Sequence, residues 1–259
     1  MPPSSEKHYQ ARVVSRHDLS PDLWVIRLER NDGFRFVAGQ YATLGEMDSG
    51  KLIERAYSIV SSPYESELEI FIELVQQGEL TPHLYKRKPG DVVSCRRIAK
   101  GRFTLDMKSA RTNHLLLATV TGIAPFVSYV RTLNADWKKE QMPGKLQLYV
   151  VHGASRSWEF GYREELERVA GEVPWLKYVP TISRPWEDTS WGGEVGRVED
   201  LIRKYSDMWG LQPEKTSAYL CGHPNMIENG RGILQRRGWK KDAMSEEVYF
   251  VPAQEAGRR

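Results

Sequence analysis

A short segment of the sequence combines a cation, an aromatic ring and a hydroxyl group. It reads Arg55-Ala56-Tyr57-Ser58 and lies in residues 52–60, which have the residue types of a strand. Because neighbouring side chains of an extended chain point to opposite faces, Arg55 and Tyr57 should share one face. A cation beside a flat ring suits a ligand that carries both a phosphate and a ring system. The alternative is an ordinary half-buried strand with a surface ion pair between Glu54 and Arg55.

A second feature that could bind phosphate is a helix start in residues 78–85. Thr81 has the residue type of an N-cap, and Pro82 suits the first helical position. A helix N-terminus offers free backbone N–H groups and a positive dipole end, which can hold a phosphate. The alternative is a helix cap that binds no ligand.

Small residues, arginines and one cysteine follow four apolar segments of the second half. These segments end in Thr121-Gly122-Ile123-Ala124-Pro125, His152-Gly153-Ala154-Ser155-Arg156, Ile182-Ser183-Arg184 and Cys221-Gly222-His223-Pro224. Small residues allow a ligand to approach the backbone closely, and arginine binds phosphate through paired charged hydrogen bonds. The first of these loops is not a full G-x-G-x-x-G, so alone it is a weak signal.

The elements that position the first two features are predicted to be antiparallel strands. Residues 67–74 alternate apolar and mostly acidic side chains, which is the period-2 pattern of a half-buried strand. Another strand is expected at residues 39–44, ended by Gly45. Short strands with frequent turns predict a small antiparallel β-barrel in residues 1–108.

From about residue 114, predicted strands and helices alternate. The strands are expected at residues 114–120, 145–151, 175–182, 217–221 and 246–251, and the helices at residues 126–133, 162–170, 197–205 and 224–237. This alternation predicts an α/β domain in residues 109–259, with a parallel sheet covered by helices. Ligands of such sheets bind at the carboxyl ends of the strands.

Composition narrows the function classes. The net charge of +3 is too small to indicate nucleic-acid binding, and no apolar run approaches the roughly 20 residues that span a membrane. The two cysteines, Cys95 and Cys221, form no metal-spaced cluster, so we expect no metal, free thiols and a reducing compartment; the alternative is one disulfide between them. With a polar N-terminal segment, the chain is expected to be cytoplasmic.

Taken in order, these motifs resemble those of the bacterial type of ferredoxin–NADP+ reductase, from about Tyr9 to Phe250. The resemblance is carried by residues 55–58, 78–81, 88–91, 121–125, 151–154, 183–184, 196–197, 221–224 and 247–249. It implies that the barrel binds FAD and the α/β domain binds NADPH. It also implies hydride transfer to flavin N5, followed by single-electron transfer to ferredoxin or flavodoxin.

The resemblance implies specific roles for the FAD-binding residues. Arg55 would contact the pyrophosphate, Tyr57 the isoalloxazine, Thr81 a phosphate and Phe250 the adenine. The full implied set is Arg55, Ala56, Tyr57, Ser58, Phe71, Ile72, Gly78, Leu80, Thr81 and Phe250.

For the nicotinamide nucleotide, the resemblance implies a second set of residues. These are Thr121, Gly122, Pro125, Arg156, Ser183, Arg184, Arg197 and Gly222. Ser183 and two arginines, Arg184 and Arg197, would bind the 2′-phosphate side; alternatively, the arginines are solvated surface charges.

The residues implied near the reacting rings are Ser58, Cys221, Glu247 and Tyr249. Tyr249 would cover the flavin at rest and move aside for the nicotinamide. A plain buried thiol is the alternative for Cys221, and a surface charge is the alternative for Glu247.

Two residues depart from the family pattern, and one segment extends beyond it. Val120 replaces the usual glycine before Thr121-Gly122, and a β-branched residue should not adopt the positive φ that glycine allows. Ser155 stands where the family has an arginine, for which Arg156 is the substitute. Residues 251–259 are expected to form either a disordered tail or an extra contact with the nucleotide.

Six basic residues could form a face that attracts an acidic electron carrier: Arg87, Lys88, Arg96, Arg97, Lys100 and Arg102. An ordinary solvated face is the alternative. Other functions consistent with the sequence are the reductase of an oxygenase system, a flavin-binding electron-transfer subunit without nucleotide activity, and a nucleotide-binding module without flavin. We expect a monomer.

Overall fold

The computed structural model describes residues 7–249, and these form two compact units. One unit extends to Thr104 and includes Ala124–Thr132; the other comprises Leu105–Ile123 and the residues from Leu133 onward. The boundary predicted between residues 108 and 109 lies close to the end of the first unit's main segment. The return of Ala124–Thr132 to the first unit has no counterpart in the sequence prediction.

The first unit contains a six-stranded antiparallel sheet with the order β4-β3-β6-β1-β2-β5. Its elements are β1 (His8–Asp18), β2 (Leu23–Glu29), β3 (Tyr41–Asp48), β4 (Lys51–Ser58), β5 (Glu67–Glu73), α1 (Thr81–Tyr85) and β6 (Val92–Arg96). After β4, the amide of Val60 donates to the carbonyl of Glu69 at 2.8 Å, which links the chain that follows one edge strand to the other edge strand, β5. The predicted antiparallel barrel is confirmed as this half-barrel sheet.

Strand β5 differs from the prediction because both of its faces are buried. Glu69 is only 3% exposed, and its carboxylate accepts hydrogen bonds from Arg27 at 2.7 Å and forms an ion pair with Arg131 at 3.1 Å. Phe71 is also buried. The alternation of charge therefore did not indicate a solvated face, since a carboxylate can be buried when guanidinium groups surround it.

Strand β3 also differs, because it continues through Gly45 to Asp48. Gly45 pairs with Glu54 on β4 and with Ser94 on β6. Ladder partners on both sides hold the glycine in an extended conformation, so it does not end the strand.

The second unit contains a six-stranded parallel sheet with the order β10-β9-β8-β7-β11-β12. The strands are β7 (Asn113–Thr119), β8 (Gln147–Ala154), β9 (Leu176–Ile182), β10 (Glu194–Val195), β11 (Thr216–Gly222) and β12 (Met244–Val248). Helices follow four of these strands along the chain. They are α2 (Ala124–Lys138) after β7, α3 (Arg163–Glu172) after β8, α4 (Val198–Met208) after β10 and α5 (Pro224–Arg236) after β11. The predicted α/β parallel-sheet domain is confirmed.

The core of the second unit explains why the strands read as continuous apolar runs. Leu115 and Leu117 on β7 pack in one cluster with Ile202 on α4 and with Ile227 and Leu234 on α5. Because helices cover the sheet, the strands carry few polar side chains in their interiors. The polar and small residues are left at the strand ends, where the candidate site lies.

Candidate functional site

Arg55 lies on β4 and contacts Glu79, which precedes α1. This contact joins the two segments that the sequence predicted to bind FAD. The guanidinium also donates to the backbone carbonyl of Glu54 at 2.8 Å, and the side chain remains 40% exposed. Arg55 can therefore reach an anionic ligand with its remaining N–H groups.

The alternative interpretation of this strand, a surface ion pair between Glu54 and Arg55, is wrong. The Glu54 carboxylate instead accepts hydrogen bonds from Arg96 at 2.7 Å and lies 3.0 Å from His8. The hydrogen bond from Arg96 is the largest cause that lowers the pKa of Glu54 to about 2. Because Glu54 pairs with Arg96, the acidic partner of Arg55 is Glu79.

The other residues of the β4 motif differ in burial. Tyr57 lies two residues from Arg55, and so on the same face of the strand, where it packs against the core. Burial raises the pKa of the Tyr57 phenol, which keeps it neutral. Ser58 is buried and Ala56 is exposed. The predicted juxtaposition of a cation and a ring is therefore present on β4.

The start of α1 is displaced by one residue from the prediction. Leu80 is the N-cap residue and Thr81 is the first helical residue, so the expected N-cap role of Thr81 and the first-position role of Pro82 are wrong. The Thr81 hydroxyl donates to the carbonyl of Val75 at 3.0 Å and accepts from the amide of Val75 at the same distance. The hydroxyl thus closes the preceding turn, in which Gly78 donates to the same carbonyl.

Three of the predicted FAD-binding residues have side chains in the core. Phe71, Ile72 and Leu80 are each less than 5% exposed. Any contact that they make with a ligand would use the backbone.

Val120 adopts a left-handed conformation with φ of 41°, which contradicts the expectation that a β-branched residue would not. Its carbonyl oxygen lies 3.0 Å from Nε2 of the buried His152, and the Tyr178 hydroxyl lies 3.0 Å from the other ring nitrogen. Burial lowers the pKa of His152 to about 4. The neutral ring therefore donates from Nε2 to Val120 and accepts at Nδ1 from Tyr178. Neither His152 nor Tyr178 was among the predicted site residues, although the Val151–Ala154 motif contains the histidine.

Two glycines allow the loops after β7 and β11 to meet. A Cβ on Gly122 would lie 2.3 Å from the Cys221 carbonyl oxygen, and one on Gly222 would lie 2.2 Å from Oγ1 of Thr119. Gly222 also has a φ of +124°, which disfavours any other residue. Because neither glycine carries a side chain, the two loops pack directly against each other at the carboxyl edge of the sheet, which is where dinucleotides bind in folds of this kind.

The structure brings four of the predicted nucleotide and catalytic residues together around Gly222. Cys221 pairs with Glu247 across β11 and β12, while Tyr249 donates its amide to the Gly222 carbonyl at 3.0 Å. The Tyr249 hydroxyl lies 3.4 Å from the Thr121 carbonyl oxygen. Burial, aided by the Glu247 charge, raises the pKa of the wholly buried Cys221 well above the usual value. Cys221 is therefore a neutral thiol rather than a nucleophile.

Arg156 and Arg184 follow the neighbouring strands β8 and β9, and one carboxylate contacts both. Glu187 contacts Arg156 and lies 3.6 Å from Arg184, while Glu159 forms a second ion pair with Arg156 at 2.9 Å. Both glutamates were missed by the sequence analysis, although each lies three residues after one of the arginines. Arg156 thus points toward the end of β9.

The remaining predicted residues of this set are less closely grouped. Ser183 donates to the Ala154 carbonyl at 3.4 Å, Pro125 lies in the first turn of α2, and the exposed Arg197 directly precedes α4. Phe250 and residues 251–259 lie outside the described residues.

Arg87 and Arg96, which belong to the predicted basic face, have acidic partners. Arg87 donates to Glu46 at 2.7 Å, and Arg96 pairs with Glu54. Lys88, Lys100 and Arg102 are exposed.

Residues 7–249 offer neither a cluster of metal ligands nor a membrane-spanning helix. No group of three or more His, Cys, Asp and Glu side chains in that range could hold a metal ion. No helix in the same range has the length and apolar character to cross a bilayer.

Family models define the class to which this fold and site belong. An oxidoreductase FAD-binding domain matches residues 10–104, and an oxidoreductase NAD-binding domain matches residues 116–231. The protein is thus a two-domain flavin- and nicotinamide-nucleotide-binding oxidoreductase.

Individual relatives narrow this class. The ferredoxin–NADP reductase of Pseudomonas aeruginosa is 31% identical over 90% of this chain and 91% of that protein. The flavodoxin/ferredoxin–NADP reductase of Escherichia coli is 33% identical over 75% and 77%, respectively. The chain belongs to the ferredoxin–NADP reductase family. A solved ferredoxin NADP+ reductase from Neisseria gonorrhoeae shares the fold, with a TM-score of 0.83 at 24% identity over 95% of this chain and 100% of that one.

Proposed function

We propose that the protein is an FAD-dependent reductase that passes electrons between NADPH and a one-electron carrier, ferredoxin or flavodoxin. Family membership and the matched FAD- and NAD-binding domains support the reaction class. The observation that carries the choice of NADPH is the convergence of Arg156 and Arg184 at adjacent strand ends. Guanidinium groups so placed can bind a 2′-phosphate through charged hydrogen bonds.

FAD fits the first unit because β4 presents a partly exposed guanidinium two residues from an aromatic ring. In this proposal, Arg55 holds the pyrophosphate and Tyr57 contacts the isoalloxazine. The segment from Gly78 to Thr81, which Arg55 reaches through Glu79, supplies backbone groups. The bound flavin would supply the exchange between two-electron and one-electron chemistry.

The nicotinamide nucleotide fits the second unit because glycines line the meeting point of two strand-end loops. Thr121, Gly122, Pro125 and Gly222 would contact the nucleotide, and Ser183, Arg184, Arg156 and Arg197 its 2′-phosphate side. Cys221, Glu247 and Tyr249 would border the nicotinamide ring in this unit, and Ser58 would border the flavin ring in the first unit. Because Cys221 is buried and neutral, its side chain would contribute packing beside the nicotinamide and would not transfer a proton.

The carrier is proposed to be acidic, because Lys88, Lys100 and Arg102 are exposed on the first unit. We also propose a monomer in a cytoplasmic, reducing compartment, which suits the free thiols of Cys95 and Cys221.

An anaerobic spectrum of the purified protein tests this function. We expect a flavin spectrum that NADPH bleaches and that oxidised ferredoxin or flavodoxin then restores. Two charged hydrogen bonds of about 1.5–3 kcal/mol each would favour NADPH over NADH by roughly 10²–10⁴ in kcat/KM. A flavin that NADPH leaves oxidised, or equal kcat/KM for the two nucleotides, would contradict the proposal.

A further inference from the structure

Four charged side chains form a connected series of ion pairs at the carboxyl ends of β8 and β9. Arg156 contacts Glu159 and Glu187, and Glu187 also contacts Arg184. The cluster contains two positive and two negative charges, so it is neutral as a whole. A pair of arginines that binds a phosphate is expected to create a positive electrostatic potential, which this neutral cluster does not do on its own.

The two glutamates have different local roles. Glu159 accepts the backbone amide of Ser155 at 2.8 Å, and its side chain is only 15% exposed, so it builds the turn after β8. Glu187 is 33% exposed, and its two carboxylate oxygens face different arginines. A carboxylate with one oxygen on each of two guanidinium groups occupies the bridging position that a phosphate takes between two arginines.

The turn that carries Glu187 is anchored independently of that carboxylate. Asp188 is buried, and it accepts the amide of Ser157 at 2.8 Å and the hydroxyl of Ser190 at 3.0 Å. The backbone around Glu187 can therefore keep its place when the Glu187 side chain changes partner.

We propose that Glu187 is a specificity-determining residue that occupies the 2′-phosphate position between Arg156 and Arg184 and competes with that phosphate. This inference rests on the proposed NADPH function. It adds a residue that opposes the attraction of the two arginines for the 2′-phosphate. A bound phosphate displaces the Glu187 carboxylate, and the two anions then repel each other at short range. Glu187 therefore weakens binding of phosphorylated nucleotides and leaves unphosphorylated ones unaffected.

Glu187→Gln tests this competition, because glutamine keeps the shape and removes the charge. Calorimetric titration of the FAD-loaded variant with NADP+ should give a Kd about tenfold lower than that of the parent protein. This ratio corresponds to ~1.4 kcal/mol of binding free energy. The Kd for NAD+ should not change. Added salt should reduce the gain, because it screens partly exposed charges.

The matched control is Glu172→Gln, which removes one negative charge from α3 of the same unit. Glu172 pairs with Arg168 at 2.9 Å on the helix surface, so its neutralisation reports the effect of net charge alone. We expect no change in either Kd. An equal gain in both variants would attribute the effect to net charge and overturn the proposal, as would unchanged or weaker NADP+ binding by Glu187→Gln.

Arg184→Ala separates this proposal from the function on which it rests. If Arg184→Ala loses the preference for NADP+ while Glu187→Gln behaves as the parent does, only the competition is wrong. If the parent itself binds NADP+ and NAD+ equally and Arg184→Ala changes nothing, the 2′-phosphate site is wrong and the competition is wrong with it.

Discussion

At the scale of single residues, the nucleotide loop has a strained backbone held by buried hydrogen bonds. A left-handed conformation costs an L-residue other than glycine about 1–2 kcal/mol, and Val120 adopts one. Its carbonyl accepts from His152, and its side chain packs beside Ala154, Phe160 and Ile182. These contacts offset the cost, so the loop keeps a form that usually requires glycine. Strain of this kind is concentrated at functional sites; the role of the loop in nucleotide binding stays a prediction.

Arg55 allows a direct test of the first unit's ligand. Replacing it by glutamine removes a charged hydrogen bond of about 1.5–3 kcal/mol, so FAD should dissociate roughly 10–100 times more readily. Flavin fluorescence after dilution measures the loss. The matched control is Arg12→Gln, because Arg12 is also an exposed strand arginine of this unit with a glutamate partner. If both variants retain FAD as well as the parent does, Arg55 has no part in binding it.

At the scale of elements, the site of the second unit depends on how closely the ends of parallel strands approach. The loops after β7 and β11 meet at Gly122 and Gly222, while β12 brings Glu247 beside Cys221. Parallel order places all these ends at one edge of the sheet. Residues far apart in the sequence therefore become neighbours without any long-range motif.

Gly222→Ala should disrupt this meeting point. The added Cβ would overlap Oγ1 of Thr119, and alanine disfavours the positive φ, so the free energy of unfolding should fall by more than about 2 kcal/mol. Urea titration measures this change. Gly171→Ala is the control, because a Cβ there meets nothing within 4 Å and lies in α3, where alanine stabilises by up to about 1 kcal/mol. Equal stability of Gly222→Ala and the parent would show that the loops are not closely packed.

At the scale of the whole molecule, two buried histidines couple stability to pH. Burial lowers the pKa of His114 and of His152 to about 4, from an ordinary value of 6.5. Between these values the unfolded chain binds protons that the folded chain does not. The free energy of unfolding should therefore be largest above about pH 6.5 and fall as the pH is lowered toward 4.

For each histidine, the free energy of unfolding should fall by at most about 1.4 kcal/mol per pH unit in this range. Urea titrations at several pH values measure the slope, and His114→Asn should reduce it by about half. His17→Asn, at an exposed site on β1, is the control and should leave the slope unchanged. A free energy of unfolding that stays constant from pH 6.5 to pH 4.5 would contradict the assignment of both histidines as neutral buried groups.

Much of the fold and of the candidate site follows from the order of residues. Apolar alternation and continuous apolar runs depend on which faces are buried, so they predicted the antiparallel and the parallel sheet. Glycine, proline and arginine at the strand ends likewise predicted the nucleotide edge, because local backbone chemistry determines what each strand end can accommodate.

The tertiary structure decided which charges remote in sequence form pairs, and it decided the backbone conformation of Val120. Arg55 contacts Glu79 rather than the adjacent Glu54, and Glu69 is buried between arginines. Glu187 bridges two arginines that follow different strands. Each outcome depends on distances between residues remote in sequence, because an ion pair forms with whichever opposite charge the packing brings within reach. No local pattern of residues contains that information.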